Sequence, residues 1–337
     1  MATASVETLI VIGSAGHAAQ RCMQALRDRY RMIGLDVPGT RAVSESDAQV
    51  GLDLASDEGP ARAVAALRAL GPMRVAAVLI LAADFDPSRR PSPLLGALNV
   101  ERMRGLLVAL GALHPEQWIL LSSMHVHAPT RLGCPINEAS PIHLFDAASE
   151  ALVALEHLVI EHRGGSQVCV LRPASLYDDG GFSTLLAAAQ ARATHESSTH
   201  LFDYRNTHEG QPLLHLADLA DAIDRAIVRR ACLPPVTVLL LAEPEPLSFK
   251  GLQLADSAGY EPHLFGLARG EVRHHEVDAM RARLLLDGPR AAAWPMRCRP
   301  STHASARRSP RPRCRPIRSS PSPRFESALQ GSPSGAT

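Results

Sequence analysis

The sequence predicts an α/β protein built on a doubly wound parallel sheet, with a small C-terminal lobe and a basic tail. Short apolar runs alternate with helix-like segments through the first two thirds of the chain. A Gly-rich turn joins the first run to the first helix. Residues 75–81 form an apolar run suited to a strand buried on both faces, as strands of parallel sheets are. This alternation favours parallel strands joined by right-handed helical crossovers.

The individual elements follow from the spacing of apolar residues, which differs between strands and helices. Strands are predicted at residues 8–12, 31–35, 75–81, 117–121, 168–171 and 236–241. A weaker third run between the second and the 75–81 strand ends at residues 52–53. Helices are predicted from 17 to about 29 and at 61–70, 94–113, 147–162 and 216–229.

Composition excludes several classes of function. The net charge is +1, so no overall positive field would attract nucleic acid or an anionic membrane. No run of 18 apolar residues is present, and the apolar N-terminal stretch is better interpreted as a strand than as a signal peptide. The 6 cysteines show no CxxC spacing, which argues against a metal site or a disulfide framework. We therefore expect a cytoplasmic protein with no metal, nucleic-acid or membrane partner.

The turn after the first strand has the spacing GxxGxxA, formed by Gly13, Gly16 and Ala19. Gly13 would allow the tight turn, Gly16 would let the backbone approach a phosphate, and Ala19 would permit close packing of helix on strand. The free N–H groups and dipole of the helix N-terminus favour a bound pyrophosphate. Similar turns also occur as plain structure, so the spacing alone is weak.

Asp36 strengthens the interpretation as a dinucleotide site. It ends the second predicted strand, 23 residues after Gly13, where a carboxylate would accept hydrogen bonds from the adenosine ribose. The same charge would repel a 2′-phosphate, so NAD is favoured over NADP. The alternative is that Asp36 only caps its loop.

Further motifs occur in a fixed order along residues 7–245, and together they resemble the extended short-chain dehydrogenase/reductases. Within these, the resemblance is to the NAD-dependent epimerase/dehydratase family, whose members act mostly on nucleotide sugars. The matching segments are Gly13–Ala19, Asp53-Leu54, Leu81-Ala82-Ala83, Asn99-Val100, Leu121-Ser122-Ser123, Ile136–Pro141, Leu171–Pro173 with Tyr177, and His215–Ile223. The motif that begins with Asn99-Val100 continues in the family with Gly and Thr, and here Arg102 and Met103 replace them.

The resemblance implies a Rossmann domain that binds NAD and a small-molecule substrate such as a nucleotide sugar. A homodimer is compatible with it. It assigns cofactor binding to Gly13, Gly16, Ala19, Asp36, Asp53, Leu54, Ala82, Ala83 and Asn99. The expected NAD-binding domain is 1–241, with 174–200 contributing to the substrate lobe, followed by the lobe at 242–290 and a disordered Arg/Pro/Ser-rich tail at 291–337. A basic tail could contact nucleic acid, but a solvated or accidental segment is the favoured interpretation, and a reading-frame change is one origin for it.

The family's catalysis depends on a Ser, a Tyr and a Lys acting together, and only the first has a clear match, Ser123. The Tyr and Lys should open the helix after Pro141. One register places Phe145 and Ser149 there, and the other places Asp146 and Glu150. Neither supplies a phenol or an ammonium, and the only lysine of the chain, Lys250, lies about a hundred residues downstream.

His127 occupies the position of a tyrosine in a neighbouring family motif and is a candidate proton shuttle, because an imidazole titrates near neutral pH. The alternative is a solvated loop histidine. Three functional hypotheses follow: an oxidoreductase-type epimerase, dehydratase or reductase with a non-standard proton donor, a non-catalytic NAD-binding sensor or partner subunit, and a degenerate gene product.

Overall fold

The computed structural model describes eight parts of the chain: residues 6–40, 43–81, 100–128, 130, 133–144, 147–177, 212–243 and 276–287. Several predicted features lie outside these ranges. They are Ala82, Ala83, Asn99, Phe145, Asp146, Lys250, the tail 291–337 and most of the lobe 242–290. The predicted domain boundaries therefore stay predictions.

A parallel sheet of seven strands forms the centre of the described structure. The strands are β1 Thr8–Ile12, β2 Arg31–Asp36, β3 Ala48–Gly51, β4 Val75–Ile80, β5 Gln117–Leu121, β6 Gln167–Pro173 and β9 Val236–Leu241, in the order β3-β2-β1-β4-β5-β6-β9. Two further strands, β7 Ser175–Tyr177 and β8 Leu213–His215, pair with each other in parallel. The strand order reverses between β1 and β4, and ligands of such sheets bind in the crevice at this point, beyond the carboxyl ends of the strands.

Helices cover both faces of the sheet. They are α1 His17–Leu26, α2 Gly59–Ala69, α3 Val100–Gly111, α4 Ala147–Glu161, α5 Leu216–Val228 and a short turn α6 Met280–Ala282. Buried side chains of α1 and α5 pack on one face, and those of α2, α3 and α4 pack on the other. The α/β doubly wound class predicted from the sequence is confirmed. Within the described ranges, no helix combines the length and apolar character needed to cross a membrane.

The predicted element bounds agree with the structure where the apolar pattern is strong. The strands predicted at 8–12, 117–121 and 236–241 have those bounds. The first helix ends at Leu26 rather than near 29. The sequence analysis missed β7 and β8, since three-residue strands are too short to show a period.

An ion-pair cluster closes the amino end of the sheet, opposite the expected site. Arg230 donates to Glu116 (2.7 Å) and to Glu7 (2.6 Å), and Arg74 donates to Glu116 (2.6 Å). Hydrogen bonding from Arg74 holds the pKa of the Glu116 carboxyl below its usual value. This cluster fixes the amino ends of neighbouring strands and leaves the carboxyl ends as the edge where a ligand can bind.

Candidate cofactor and active site

The turn between β1 and α1 has the geometry expected of a phosphate-binding turn. Gly13 has φ +80°, a conformation that favours glycine, and its N–H donates to the Leu35 carbonyl at 2.9 Å. The Gly16 N–H donates back to the Gly13 carbonyl at 3.0 Å. The turn leads into α1, which begins at His17. Among the described residues no side chain caps this helix end, whose dipole favours an anion as a dinucleotide site requires.

A side chain from the edge strand β3 supports this turn. Gln49 on β3 donates from Nε2 to the hydroxyl of Ser14 at 2.9 Å, and Ser14 is fully buried. The two side chains meet over Gly34 on β2, where an added Cβ would lie 2.3 Å from Gln49 Oε1 and 2.7 Å from Ser14 Oγ. Gly34 is therefore required for this contact, and Gln49 and Ser14 hold the turn in place.

The carboxylate of Asp36 lies directly beside the turn. Its Oδ2 accepts the Ala15 N–H at 2.8 Å, and its Oδ1 accepts the Val37 N–H at 2.8 Å. These bonds are the loop-capping contacts of the alternative interpretation. The carboxylate can accept further hydrogen bonds, because each oxygen accepts about two and the residue is only partly buried. Loop capping and ribose binding are thus compatible at this position.

We expect NAD to bind at least about tenfold more tightly than NADP, because the Asp36 charge would face the 2′-phosphate. Asp36→Asn keeps a side-chain acceptor for the Ala15 N–H and removes only the charge, so it should improve NADP binding without disordering the turn. Asp36→Arg should reverse or abolish the preference. Titration calorimetry with both cofactors measures these ratios. A preference of the unmodified protein for NADP would contradict the assignment of Asp36.

Asp53 and Leu54 open the loop between β3 and α2, one strand further along the same edge. The Leu52 N–H donates to the Asp36 carbonyl at 2.7 Å, which ties the two strand ends together. Asp53 accepts the Ala55 N–H at 2.9 Å and remains partly exposed. The loop closes tightly on Gly59, where an added Cβ would lie 1.6 Å from the Asp53 carbonyl oxygen. Gly13, Gly16, Asp36, Asp53 and Leu54 are therefore brought to one edge of the sheet.

Ala19 has a packing position rather than a ligand-facing one. It is fully buried in α1, within the core cluster that α1 shares with the sheet. This is the close helix-on-strand packing that the sequence predicts for the last position of the GxxGxxA spacing.

Ser123 follows β5 directly, at the carboxyl edge of the sheet. It is buried, and its hydroxyl oxygen accepts the His125 N–H at 3.2 Å, which starts a 3₁₀ turn at Met124–Val126. The hydroxyl proton is not used by this bond. Ser123 therefore keeps a donor just beyond the strand, in the place that the family resemblance gives to its catalytic Ser.

His127 lies in a buried polar network instead of in solvent. Its Nε2 lies 3.1 Å from Arg172 Nη1, and its Nδ1 lies 3.0 Å from the Ser140 carbonyl oxygen. Because a guanidinium only donates and a carbonyl only accepts, Nε2 is the acceptor and Nδ1 carries the proton. Burial, and then the charge of Arg172, lowers the pKa of His127. The ring is neutral and fully buried, so the alternative of a solvated loop histidine does not describe it.

The network continues from Arg172 to a helix. Arg172 donates to both carboxylate oxygens of Glu156 on α4, at 2.9 Å and 2.5 Å, and the Ser122 hydroxyl donates to Glu156 as well. Both charged side chains are buried. Neither nitrogen of His127 is left for a substrate in this arrangement. The proton-shuttle hypothesis would therefore require the ring to leave Arg172 and the Ser140 carbonyl.

The start of α4 distinguishes the two registers for the family's Tyr and Lys. Ser149 is buried and Glu150 is exposed. Of the two candidate lysine positions, Ser149 is therefore the inward one, which favours the register with Phe145 and Ser149, although Phe145 and Asp146 lie outside the described residues. In that register a small hydroxyl stands where the family places an ammonium.

The sequence analysis missed three residues that shape the site: Gln49, Arg102 and Glu156. Glu156 had a detectable signal, because it is a single acid among apolar residues on the inward face of α4, with Leu152, Leu155 and Val159 around it in sequence. Arg102 stood out only as a replacement of the family's glycine, and Gln49 had no signal, since the contacts of both join separate elements. Among the described residues, no group of His, Cys, Asp or Glu side chains is arranged to hold a metal ion.

Comparison with known proteins agrees with this geometry. Solved structures with the same fold include a putative epimerase from Burkholderia cenocepacia J2315, with 19% identity, 84% of this chain and 92% of that chain covered, and a TM-score of 0.63. The Thermus thermophilus UDP-glucose 4-epimerase in complex with NAD has 17% identity, coverage of 85% and 100%, and a TM-score of 0.60. The Bacillus cereus UDP-N-acetylglucosamine 4-epimerase has 17% identity, coverage of 83% and 92%, and a TM-score of 0.56.

At these identities the structural likeness shows the fold. A search of curated proteins gave no match. The model of the NAD dependent epimerase/dehydratase family matches residues 9–238, so the cofactor predicted from the sequence, NAD, is that of the matched family. The chain belongs to the NAD-dependent epimerase/dehydratase family.

Proposed function

We propose that this protein binds NAD and a nucleotide sugar or similar hydroxylated ligand, but lacks the family's proton-transfer step. It would then act as a non-catalytic sensor or partner subunit. The observation that supports the proposal is the start of α4, where Ser149 is buried. Of the two registers that the family resemblance allows, this favours the one with serine in place of lysine. The only lysine of the chain, Lys250, lies far outside this helix.

The residues of the cofactor site fit NAD. The turn of Gly13 and Gly16 leaves the N-terminus of α1 without a side-chain cap, as a pyrophosphate requires. Asp36 stands beside that turn with acceptor capacity for a ribose. A bound nicotinamide supplies hydride transfer. The contribution of this chain is to bind and orient that group.

The ligand class follows from the family and from the solved structures of the same fold. The Thermus thermophilus and Bacillus cereus proteins are epimerases of UDP-glucose and UDP-N-acetylglucosamine by name. Both ligands in these names are nucleotide sugars, which carry several hydroxyl groups. Ser123 is the hydroxyl of this chain at the corresponding strand end, where it could donate to a sugar oxygen.

Proton transfer is the step for which the family's Tyr and Lys positions offer no group in this sequence. A phenylalanine at position 145 can neither donate nor accept a proton, and Ser149 carries no charge that would lower the pKa of a neighbouring phenol. His127 is held in its neutral form by Arg172 and the Ser140 carbonyl. The loss of a positioned acid or base typically costs about 10²–10⁴-fold in rate.

A second candidate is an active epimerase, dehydratase or reductase that uses another proton carrier. The retained Ser123 favours it, because a hydroxyl at the end of β5 has a direct use in orienting a substrate oxygen. This candidate predicts turnover by the unmodified protein, and His127→Ala would then be the first variant to test.

Restoring the pair as Phe145→Tyr with Ser149→Lys should produce hydride transfer that the unmodified protein lacks. The measurement is conversion of UDP-glucose, UDP-N-acetylglucosamine or UDP-glucuronic acid to product by chromatography, together with the absorbance of bound NADH at 340 nm, because an epimerase or dehydratase returns the hydride to the sugar and accumulates no free NADH. The matched control is Asp146→Tyr with Glu150→Lys, which adds the same groups in the register whose second position is exposed. We expect this control to stay inactive.

Binding and stability data complete this experiment. All forms should bind NAD by calorimetry and melt cooperatively, so that an inactive variant is not simply unfolded. Fast turnover by the unmodified protein would overturn the non-catalytic proposal. A failure of the unmodified protein to bind NAD would overturn the proposal as a whole.

A further inference from the structure

Arg102 connects α3 to the loop at the end of β3. It lies in the first turn of α3, and its Nη1 donates to the carbonyl oxygen of Leu54. The sequence places this arginine where the family motif has a glycine. A glycine has no side chain, so the contact between α3 and this loop is a property of this chain.

The contacted loop lies where the adenine half of a dinucleotide would extend. The pyrophosphate belongs at the N-terminus of α1, after β1, and the ribose belongs at Asp36, at the end of β2. The next strand along the same edge is β3, whose end is tied to Asp36 by the hydrogen bond from Leu52. A base attached to that ribose and pointing away from the pyrophosphate therefore meets the loop that begins at Asp53.

Arg102 and Asp53 hold opposite sides of one peptide unit. The carbonyl of Leu54 accepts from Arg102, and the N–H of the following residue, Ala55, donates to Asp53 Oδ1 at 2.9 Å. A peptide unit is planar, so fixing its carbonyl also fixes the direction of its N–H. Through this unit, Arg102 restricts Oδ1 of Asp53, while Oδ2 lies 3.8 Å from Arg62 Nη2 in an ion pair that remains partly exposed.

We infer that Arg102 is a positioning residue for adenine recognition in this chain. It fixes the Leu54–Ala55 peptide, which in turn orients the Asp53 carboxylate as an acceptor for the exocyclic amino group of the adenine. The inference rests on the proposed NAD binding and on the adenine contact that the family resemblance implies for Asp53, and it adds the residue that positions that contact.

The test compares NAD with its hypoxanthine analogue, deamino-NAD, which has an oxo group in place of the amino group. We expect the unmodified protein to bind NAD at least about fivefold more tightly, because a carboxylate accepts from an amino group and repels an oxo group. Arg102→Ala should bring the ratio of the two Kd values close to one. Arg102→Lys keeps a donor and should recover part of the preference. Calorimetry or fluorescence titration gives both Kd values.

The matched control is Arg68→Ala, because Arg68 also donates from a helix to a backbone carbonyl, that of Ala112, away from this edge. It should leave the ratio unchanged. A merely structural role of Arg102 would lower thermal stability or weaken both ligands equally without changing the ratio, and that result would overturn the inference.

The remaining outcomes are also decisive. An unmodified protein that binds both dinucleotides equally would overturn the inference and leave NAD binding intact. An unmodified protein that binds neither would overturn the proposed function and the inference with it.

Discussion

Gly16→Val is expected to weaken NAD binding by at least about 100-fold, roughly 2.7 kcal/mol, while the protein stays folded. Gly16 has extended backbone angles that any residue adopts, so the substitution causes no φ strain. Its added Cβ would lie 3.2 Å from the Gly13 carbonyl oxygen, a tight contact that a small shift relieves. The valine methyl groups would then occupy the space through which a phosphate approaches the N-terminus of α1.

The measurements for Gly16→Val are the Kd for NAD and the melting temperature without ligand. We expect the melting temperature to fall by a few degrees, since a single overpacked contact costs about 1–3 kcal/mol. Gly105→Val is the matched control, because an added Cβ there meets no atom within 4 Å. It should leave NAD affinity unchanged. If Gly16→Val keeps its affinity within about threefold, roughly 0.7 kcal/mol, the pyrophosphate does not lie at this turn.

Glu156→Leu is expected to lower the free energy of unfolding by about 3–5 kcal/mol, because it leaves the Arg172 guanidinium buried without its partner. Glu156 accepts two hydrogen bonds from Arg172 and one from Ser122, and both charged side chains are buried. The double variant Glu156→Leu/Arg172→Met removes both charges and should cost far less than the sum of the single changes.

Urea denaturation of the single and double variants measures this coupling. The partly exposed pair of Asp221 and Arg225, 2.7 Å apart and one helical turn from each other on α5, is the control. Arg225→Ala should cost about 0.5 kcal/mol or less, since solvent screens that pair. A Glu156→Leu variant within about 1 kcal/mol of the unmodified protein would show that the network around His127 is not held by this ion pair.

The fold was predictable because its signals are local and repeated. Each buried strand of the parallel sheet is a continuous apolar run, as residues 75–81 show, and each helix between strands has its own period. The turn at Gly13 and Gly16 was readable for the same reason, since its chemistry is contained in seven consecutive residues. Asp36 could be added because the length of one β-α-β unit fixes its place at the end of β2.

The polar network could not be predicted, because its members are far apart in sequence. His127, Glu156 and Arg172 come from three elements, and their meeting depends on how α4 packs on the sheet. A histidine after β5 has the same local sequence signal whether it faces a substrate or an arginine. The contact with Arg172 requires the neutral ring, and only the packing decides this.

The sequence by itself determined the α/β class, the order of strands and helices, the GxxGxxA turn and the absence of a Tyr/Lys pair after Pro141. Each of these depends on residue type and spacing within one short segment or one β-α-β unit. The tertiary structure decided that Ser149 is the inward residue of α4, that His127 is held by Arg172, and that Arg102 reaches Leu54. These depend on which faces of separate elements meet, and spacing along the chain does not specify that.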